Sequence, residues 1–386
     1  MIIKSILDND LYKFSMSYAY WRYPEAEGEF VFLDRNNTKY TAEFVSNLKK
    51  EINGLAALQL TQKEFEWCCK NIKYIPANYW EWLQGWRPDP NLIKIKLDSN
   101  NHLHISVKDK MYKLTWYEVP ILAIVSELQA KMFGYKAINK VILNKLDKKI
   151  ALSNKYQLKF SEFGTRRRFN FDVQELVVQQ LVKKAKYFVG TSNVYLAMKC
   201  KTKAIGTFAH EAVMFHAAIF GYRMANYLTL EWWAKVYDGS LGIALTDTLT
   251  SDVFFKNFSK KQAKLFDGLR HDSGNVYQYI DKAVKRYKAL GVDPMTKVII
   301  FSNALTMPEF KKIADACKNK IQCSAGIGTN LSNDTGNKAA NIVMKLSKCR
   351  MSEREDWHKC LKISDDKGKF SGDKSEFEIA CKVLKI

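Results

Sequence analysis

Apolar residues follow two different spacings along this chain. Over 92–97 and 102–107 they alternate in period two, which predicts a hairpin turned by Asp98, Ser99, Asn100 and Asn101. Helical patterns cover 11–21, where aromatic residues are dense, and then 61–70, 120–133 and 136–154. A strand is expected at 28–33. From 159 onward short apolar runs alternate with helical ones. Strands are predicted at 159–162, 187–189, 203–205, 241–245, 298–301 and 321–323, and helices at 173–184, 193–199, 209–220, 276–290 and 307–318. Such alternation over roughly 200 residues implies a parallel sheet, open or closed into a barrel. The N-terminal third and the last stretch look more antiparallel. The predicted fold is therefore α/β: an irregular (β/α) barrel over 114–345, flanked by an α+β domain built from 1–113 with 346–386.

Composition narrows this picture. Of 386 residues, 47% are hydrophobic and 13% aromatic, too many for a disordered chain. Only 7 Pro and 18 Gly occur, with no linker, repeat or low-complexity tract, so the domains are expected to be closely integrated. The apolar run 121–125 is far shorter than a membrane span, and 208–220 is interrupted by His210, Glu211 and His216. No signal-peptide core opens the chain, and none of the 8 cysteines forms a CxxC pair. A cytoplasmic protein with free thiols, no membrane partner and no structural zinc is expected. Lys and Arg number 61 against 40 Asp and Glu, a formal charge of +21. That excess points to anionic partners. It is dispersed rather than gathered in a tail, and no nucleic-acid-binding motif accompanies it, so no nucleic-acid partner is expected.

Chemistry in parallel α/β folds concentrates where strands end and helices begin. Seven polar clusters fall at such junctions: EFGTRRR (162–168), GTSN (190–193), GTFAHE (206–211), ALTDTLTSD (244–252), GLRHDSG (268–274), FSN (301–303) and SAGIGTN (324–330). One such cluster is an ordinary helix cap, whereas seven in one region suggest a polyphosphate site. Gly326 and Gly328 would let backbone N–H groups approach a phosphate, although no Walker A motif exists. In GLRHDSG, Arg270 suits a diphosphate, and Asp272 suits sugar hydroxyls or a hydrated Mg²⁺. The competing reading of that segment is an Asp–Ser helix cap beside a surface arginine.

His102 and His104 share a strand face, and a solvated hairpin outweighs a metal site there. His216 falls on the apolar side of its helix. His210 opens a helix, where the dipole favours a negative group beside the ring; a buried structural histidine is the alternative. The triplet Arg166, Arg167 and Arg168 suits a small carboxylate with Phe163 as a stacking ring, at least one of the three being surface.

Together these junctions resemble the nicotinate phosphoribosyltransferases, which are type II phosphoribosyltransferases. The likeness runs nearly end to end, from LDNDLYKFSMSYAYW through EFGTRRR, GTSN, GTFAHEA, GIALTDTLTSDVF, GLRHDSG, FSNAL and SAGIGTNLSND to NIVMKLSKC and KISDDKGK. It implies formation of nicotinate mononucleotide and diphosphate from nicotinate and phosphoribosyl diphosphate, within NAD biosynthesis. It further implies coupling to ATP hydrolysis through a phosphohistidine, a Mg²⁺ requirement and a homodimer with shared active sites.

By the same resemblance the phosphohistidine is His210. Phe163 and Tyr12 sandwich the nicotinate ring, with Tyr12 coming from the partner subunit, and Arg166 meets the carboxylate. Ser192 stands where nicotinamide-specific relatives carry Asp, which favours the acid over the amide. Arg35 reaches the diphosphate across the dimer interface. Asp247 pairs with His210, while Arg270, Asp272 and Ser273 contact the diphosphate, ribose or Mg²⁺. Gly326, Gly328 and Thr329 cradle the 5′-phosphate. Asn303 departs from the Asp of many relatives. Asn275 and Val276 after HDSG, and Ala212 after AHE, depart too.

Overall fold

The computed structural model describes residues 1–366, 368 and 370–386; Lys367 and Lys369 of the KISDDKGK segment lie outside the described residues. Among the described residues eleven strands occur in chain order: β1 (Glu27–Asp34), β2 (Ile93–Leu97), β3 (Leu103–Lys110), β4 (Phe160–Glu162), β5 (Phe188–Thr191), β6 (Ile243–Leu245), β7 (Gly268–His271), β8 (Val298–Phe301), β9 (Gln322–Ile327), β10 (Ile342–Arg350) and β11 (His358–Lys359). The chain divides into two compact units. The first is Met1–Pro24, Gly28–Gly206 and Ile327–Lys345; the second is Glu25–Glu27, Thr207–Gly326 and Leu346–Ile386. One cut of this division falls between 345 and 346, where the sequence reading also placed one, whereas 113 lies inside the first unit.

In the first unit β1, β3 and β2 are neighbours in one sheet, β2 and β3 pairing antiparallel. The expected hairpin is β2–β3, in register from Ile93↔Val107 to Leu97↔Leu103. Period-two patterning explains its burial: Ile93, Leu103, Ile105 and Val107 face inward, while Lys94, Lys96 and His104 are exposed. At its turn His102 and His104 flank Asp98, at 3.4 and 3.1 Å, on the surface. The helix Glu118–Met132 is apolar nearly all round and correspondingly buried. β4 and β5 pair in parallel.

In the second unit β6, β7, β8 and β9 are parallel neighbours. Helices Ser251–Asn257, Val276–Ala289 and Met307–Cys317 follow β6, β7 and β8, the (β/α) arrangement expected. Each helix starts on a local cap: Thr250, Asn275 and Thr306 accept from the first-turn N–H groups. Since Asn275 caps the helix after β7, the Asp–Ser cap reading of GLRHDSG fails, and Asp272 and Ser273 are released for other work. At Gly274, φ is +83° and an added Cβ would sit 2.7 Å from the Asp365 Cβ, so both backbone and space require glycine.

Several elements depart from expectation. Residues 203–205 form only a single bridge, Thr191↔Ala204, instead of a strand. β7 lies inside a motif read only as polar. Helices Ala42–Gly54 and Ala77–Gly85 share the N-terminal region with its strands, and Lys374–Leu384 closes a C-terminal stretch that had looked antiparallel. No helix among the described residues is long and apolar enough to cross a membrane.

Candidate functional site

In the second unit the carboxyl ends of β6, β7 and β8 deliver Asp247 and Thr248, then Asp272 and Ser273, then Ser302 to one cluster around His210. His210 is the first residue of the helix His210–Phe220, whose cap residue Ala209 offers no side-chain acceptor. Its Nδ1 lies 3.0 Å from Thr248 Oγ1 and its Nε2 2.8 Å from Lys362 Nζ. An ammonium can only donate, so Nε2 accepts and the neutral ring carries its proton on Nδ1, facing Thr248. Burial, and then the charge of Lys362, hold the His210 pKa below its usual value against the opposing pull of Asp247 and Asp272.

Asp272 Oδ2 is 3.2 Å from His210 Nε2, while Oδ1 accepts from Arg270 Nη2 at 3.0 Å and from Ser302 Oγ. Arg270 Nε also donates to Ser302 Oγ at 2.8 Å. Burial opposes ionisation of Asp272, but the charges of Arg270 and then Lys362 help keep the carboxyl well below the ordinary range. Asp247 Oδ1 stands 3.8 Å from His210 Nε2, within ion-pair distance but beyond a hydrogen bond, while Thr248 Oγ1 lies within hydrogen-bond reach of Nδ1. Asp247 Oδ2 accepts from Ser273 Oγ at 2.6 Å and Lys362 Nζ at 3.3 Å. Its Oδ1 is buried with no hydrogen-bond partner, an acceptor suited to a cation or a water. His210, Asp247 and Asp272 each place a ligand atom within 4.8 Å of the other two.

The neighbouring histidines separate cleanly from this cluster. His271 alternates to the other face of β7, buried between the rings of Tyr279 and Phe301. His216 is core, as expected: Nδ1 contacts the Ala212 carbonyl at 2.8 Å, and burial pushes its pKa down to about 4. Asn303 is exposed, and its neighbour Ser302 is the residue that enters the cluster. Gly326 is buried within β9.

In the first unit a second polar cluster surrounds Glu118. This buried carboxylate pairs with Lys13 at 2.5 Å and with Arg166 Nη1 at 3.3 Å, and lies 3.5 Å from the Tyr12 hydroxyl. Burial opposes its charge, yet Lys13 and Arg166 hold its pKa down. Glu118 thereby orients two residues expected at the nicotinate ring. Arg166 remains 41% exposed at the side chain. Of the arginine triplet, Arg168 is fully buried, bonded to Asp8 at 2.6 and 2.9 Å. Phe163 is part-buried, its N–H fixed to the Ile327 carbonyl at 2.8 Å.

Ser192 is buried and donates to Asp10 Oδ1 at 2.7 Å. A carboxylate therefore sits beside Ser192 even though the residue itself is neutral. Burial raises the Asp10 pKa against the pull of Ser192, Thr165 and Arg166, which moderates its charge. Gly328 and Thr329 open the short helix Thr329–Ser332, and Arg35 is exposed just beyond β1. The residues missed from sequence were Lys362, Thr248, Ser302, Glu118, Lys13 and Asp10. All but Glu118 lie in the motif segments, and only proximity in space assigns them.

A parallel (β/α) sheet with histidine, paired carboxylates, arginine and lysine gathered at one end of its strands is the arrangement of an α/β enzyme. The chain belongs to the nicotinate phosphoribosyltransferase family. The nicotinate phosphoribosyltransferase (NAPRTase) family model matches residues 158–385, and the N-terminal domain model of that family matches 7–126. The nicotinate phosphoribosyltransferase of Desulforapulum autotrophicum is 41% identical over 390 residues, covering 99% of both chains. The crystal structure of nicotinate phosphoribosyltransferase from Porphyromonas gingivalis matches with a TM-score of 0.98, 46% identity and full coverage of both chains. That from Vibrio cholerae matches at 0.93 with 30% identity, covering 100% of this chain and 95% of the other.

Proposed function

We propose that this protein joins nicotinate to phosphoribosyl diphosphate, releasing diphosphate and forming nicotinate mononucleotide for NAD biosynthesis, and that ATP hydrolysis is coupled to this through a phosphohistidine at His210. Full-length identity to proteins named for the transfer supports the base reaction. The single observation that carries the coupling is the environment of His210. Its ring is turned by Thr248, its Nε2 keeps a lone pair, and a lysine and an arginine stand nearby for phosphoryl oxygens.

In this reading His210 Nε2 attacks the γ-phosphorus of ATP. The N–P bond forms as the bond to the ADP oxygen breaks, and ADP leaves. Lys362 and Arg270 balance the phosphoryl charge. The unpartnered Asp247 Oδ1 and the nearby Asp272 fit Mg²⁺, which would be held by these two carboxylates and would neutralise phosphate oxygens. Glycosyl transfer needs no base for the pyridine nitrogen, only positioning. Phe163 and Tyr12 would hold the ring, with Arg166, oriented by Glu118, at the carboxylate. Ser192, bonded to Asp10, would line the same pocket. Arg35 and Ser273 would serve the diphosphate, and Gly326, Gly328 and Thr329 the 5′-phosphate. Tyr12 and Arg35 acting across a homodimer belong to this proposal.

The test is His210→Ala. The variant is expected to lose ATP-stimulated turnover and acid-labile phosphate incorporation from ATP while keeping slow ATP-independent synthesis. Surviving ATP stimulation would show the assignment to be wrong.

A further inference from the structure

The segment 360–366 is stitched onto two loops of the cluster around His210 by bonds that no catalytic role requires. Ile363 N–H donates to the Thr248 carbonyl at 2.8 Å. Asp365 N–H donates to Ser273 Oγ at 3.1 Å, and Gly274 N–H to Asp366 Oδ1 at 3.1 Å. The centre of the arrangement is the Asp365 carboxylate. Both oxygens are taken by one residue, Ser251: its N–H reaches Oδ1 at 2.7 Å and its hydroxyl reaches Oδ2 at 2.5 Å. The Asp365 Cβ lies directly over Gly274, where no side chain would fit.

On each side of this clamp stands a non-glycine residue in the left-handed region, Thr250 at φ +71° and Ser364 at φ +81°. A β-branched residue at positive φ is a true outlier, and such strain persists only where surrounding bonds over-determine it. The clamp residues lie close in sequence to the groups that matter: Asp365 is three residues after Lys362, and Ser251 three after Thr248 and four after Asp247.

We propose that Asp365 is a positioning residue: by clamping 360–366 onto Ser251 and Gly274 it fixes Lys362 against His210 Nε2 and Asp247. Asp365 acts through Lys362 and touches no reacting atom. The catalytic half of the test rests on the reading of His210 given above, while the exchange half does not.

The experiment uses the full chain and the variants Asp365→Asn, Lys362→Ala and the double variant. Asparagine offers one carbonyl acceptor where two donors now bind, so a hydrogen bond to a charged group is lost. Hydrogen–deuterium exchange of peptides spanning 360–366 is expected to quicken by about tenfold in Asp365→Asn, with other regions at the wild-type rate. In nicotinate mononucleotide synthesis, kcat/KM for phosphoribosyl diphosphate is expected to fall by about tenfold in Asp365→Asn. The double variant is expected to be no worse than Lys362→Ala alone, because a residue acting through Lys362 has nothing left to position. Wild-type exchange rates in 360–366, or losses that multiply in the double variant, would overturn the proposal. If Asp365→Asn cannot be isolated folded, Ser251→Ala removes the hydroxyl donor alone and is expected to move both readouts in the same direction. Absence of product from the wild-type chain would count against the function proposed above, and the exchange rates would still decide the clamp.

Discussion

Glu162 carries a pH signature that can be read from its surroundings. It is fully buried in the first unit, where it accepts from Thr191 Oγ1, the Gly164 N–H and Gln174 Nε2. Burial outweighs these donors and raises its pKa from 4.5 to about 7. Between those values the folded chain binds a proton that the unfolded chain has released. The stability this group contributes is therefore fully present below about 4.5 and is lost as pH rises through about 7. Denaturant unfolding at pH 5 and pH 8 should show the wild type losing stability relative to Glu162→Gln, which cannot titrate. A difference independent of pH would contradict the assignment. At this scale the sequence was legible where one short segment carries the groups: Arg270 and Asp272 of GLRHDSG meet in the cluster, while the turning of His271 to the other face of β7 was not read. It was not legible where partners are remote. Lys362 lies 152 positions from His210, and no local spacing brings them together.

Among elements, the turn after β4 depends on space rather than on backbone freedom. An alanine Cβ at Gly164 would lie 2.0 Å from Ser332 Oγ, 2.5 Å from its Cβ and 2.7 Å from Glu162 Oε1. These atoms belong to a packed polar interior that cannot yield cheaply, so Gly164→Ala is expected to cost about 1–3 kcal/mol or more. Thermal unfolding should show the drop, and Gly164→Ala with Ser332→Gly should recover part of it. An unchanged Tm in the single variant would mean that the turn is looser than its contacts imply. Elements with a long, clean period were readable: the β2–β3 hairpin and the helices Phe171–Lys184, Val276–Ala289 and Met307–Cys317 lie close to expectation. Those missed had weak or masked patterns. β7 is four residues, two of them charged or titratable, and it forms because β6 and β8 supply partners on both sides. The helix Lys374–Leu384 follows a strand-rich stretch and is set by its Asp373 cap, which accepts from the Ser375 and Glu376 N–H groups.

For the whole molecule, alternating strand and helix gave the α/β class, and both ends of the chain contribute antiparallel strands. Physical reading of the residues reached a phosphate-handling enzyme; the choice of base and the use of ATP came from resemblance, because stacking rings and an arginine suit many small carboxylates. The +21 charge is mostly lysine on exposed faces, and the few cations that matter here are Lys362, Arg270 and Arg166, each held by a carboxylate or a histidine. The most direct test of the central claim is a product assay on the purified full chain. Nicotinate or nicotinamide is supplied with phosphoribosyl diphosphate and Mg²⁺, with and without ATP, and the mononucleotide is quantified. The account predicts nicotinate mononucleotide, stimulated by ATP, with nicotinamide turned over far more slowly. Absence of product from nicotinate, or a preference for nicotinamide, would contradict it.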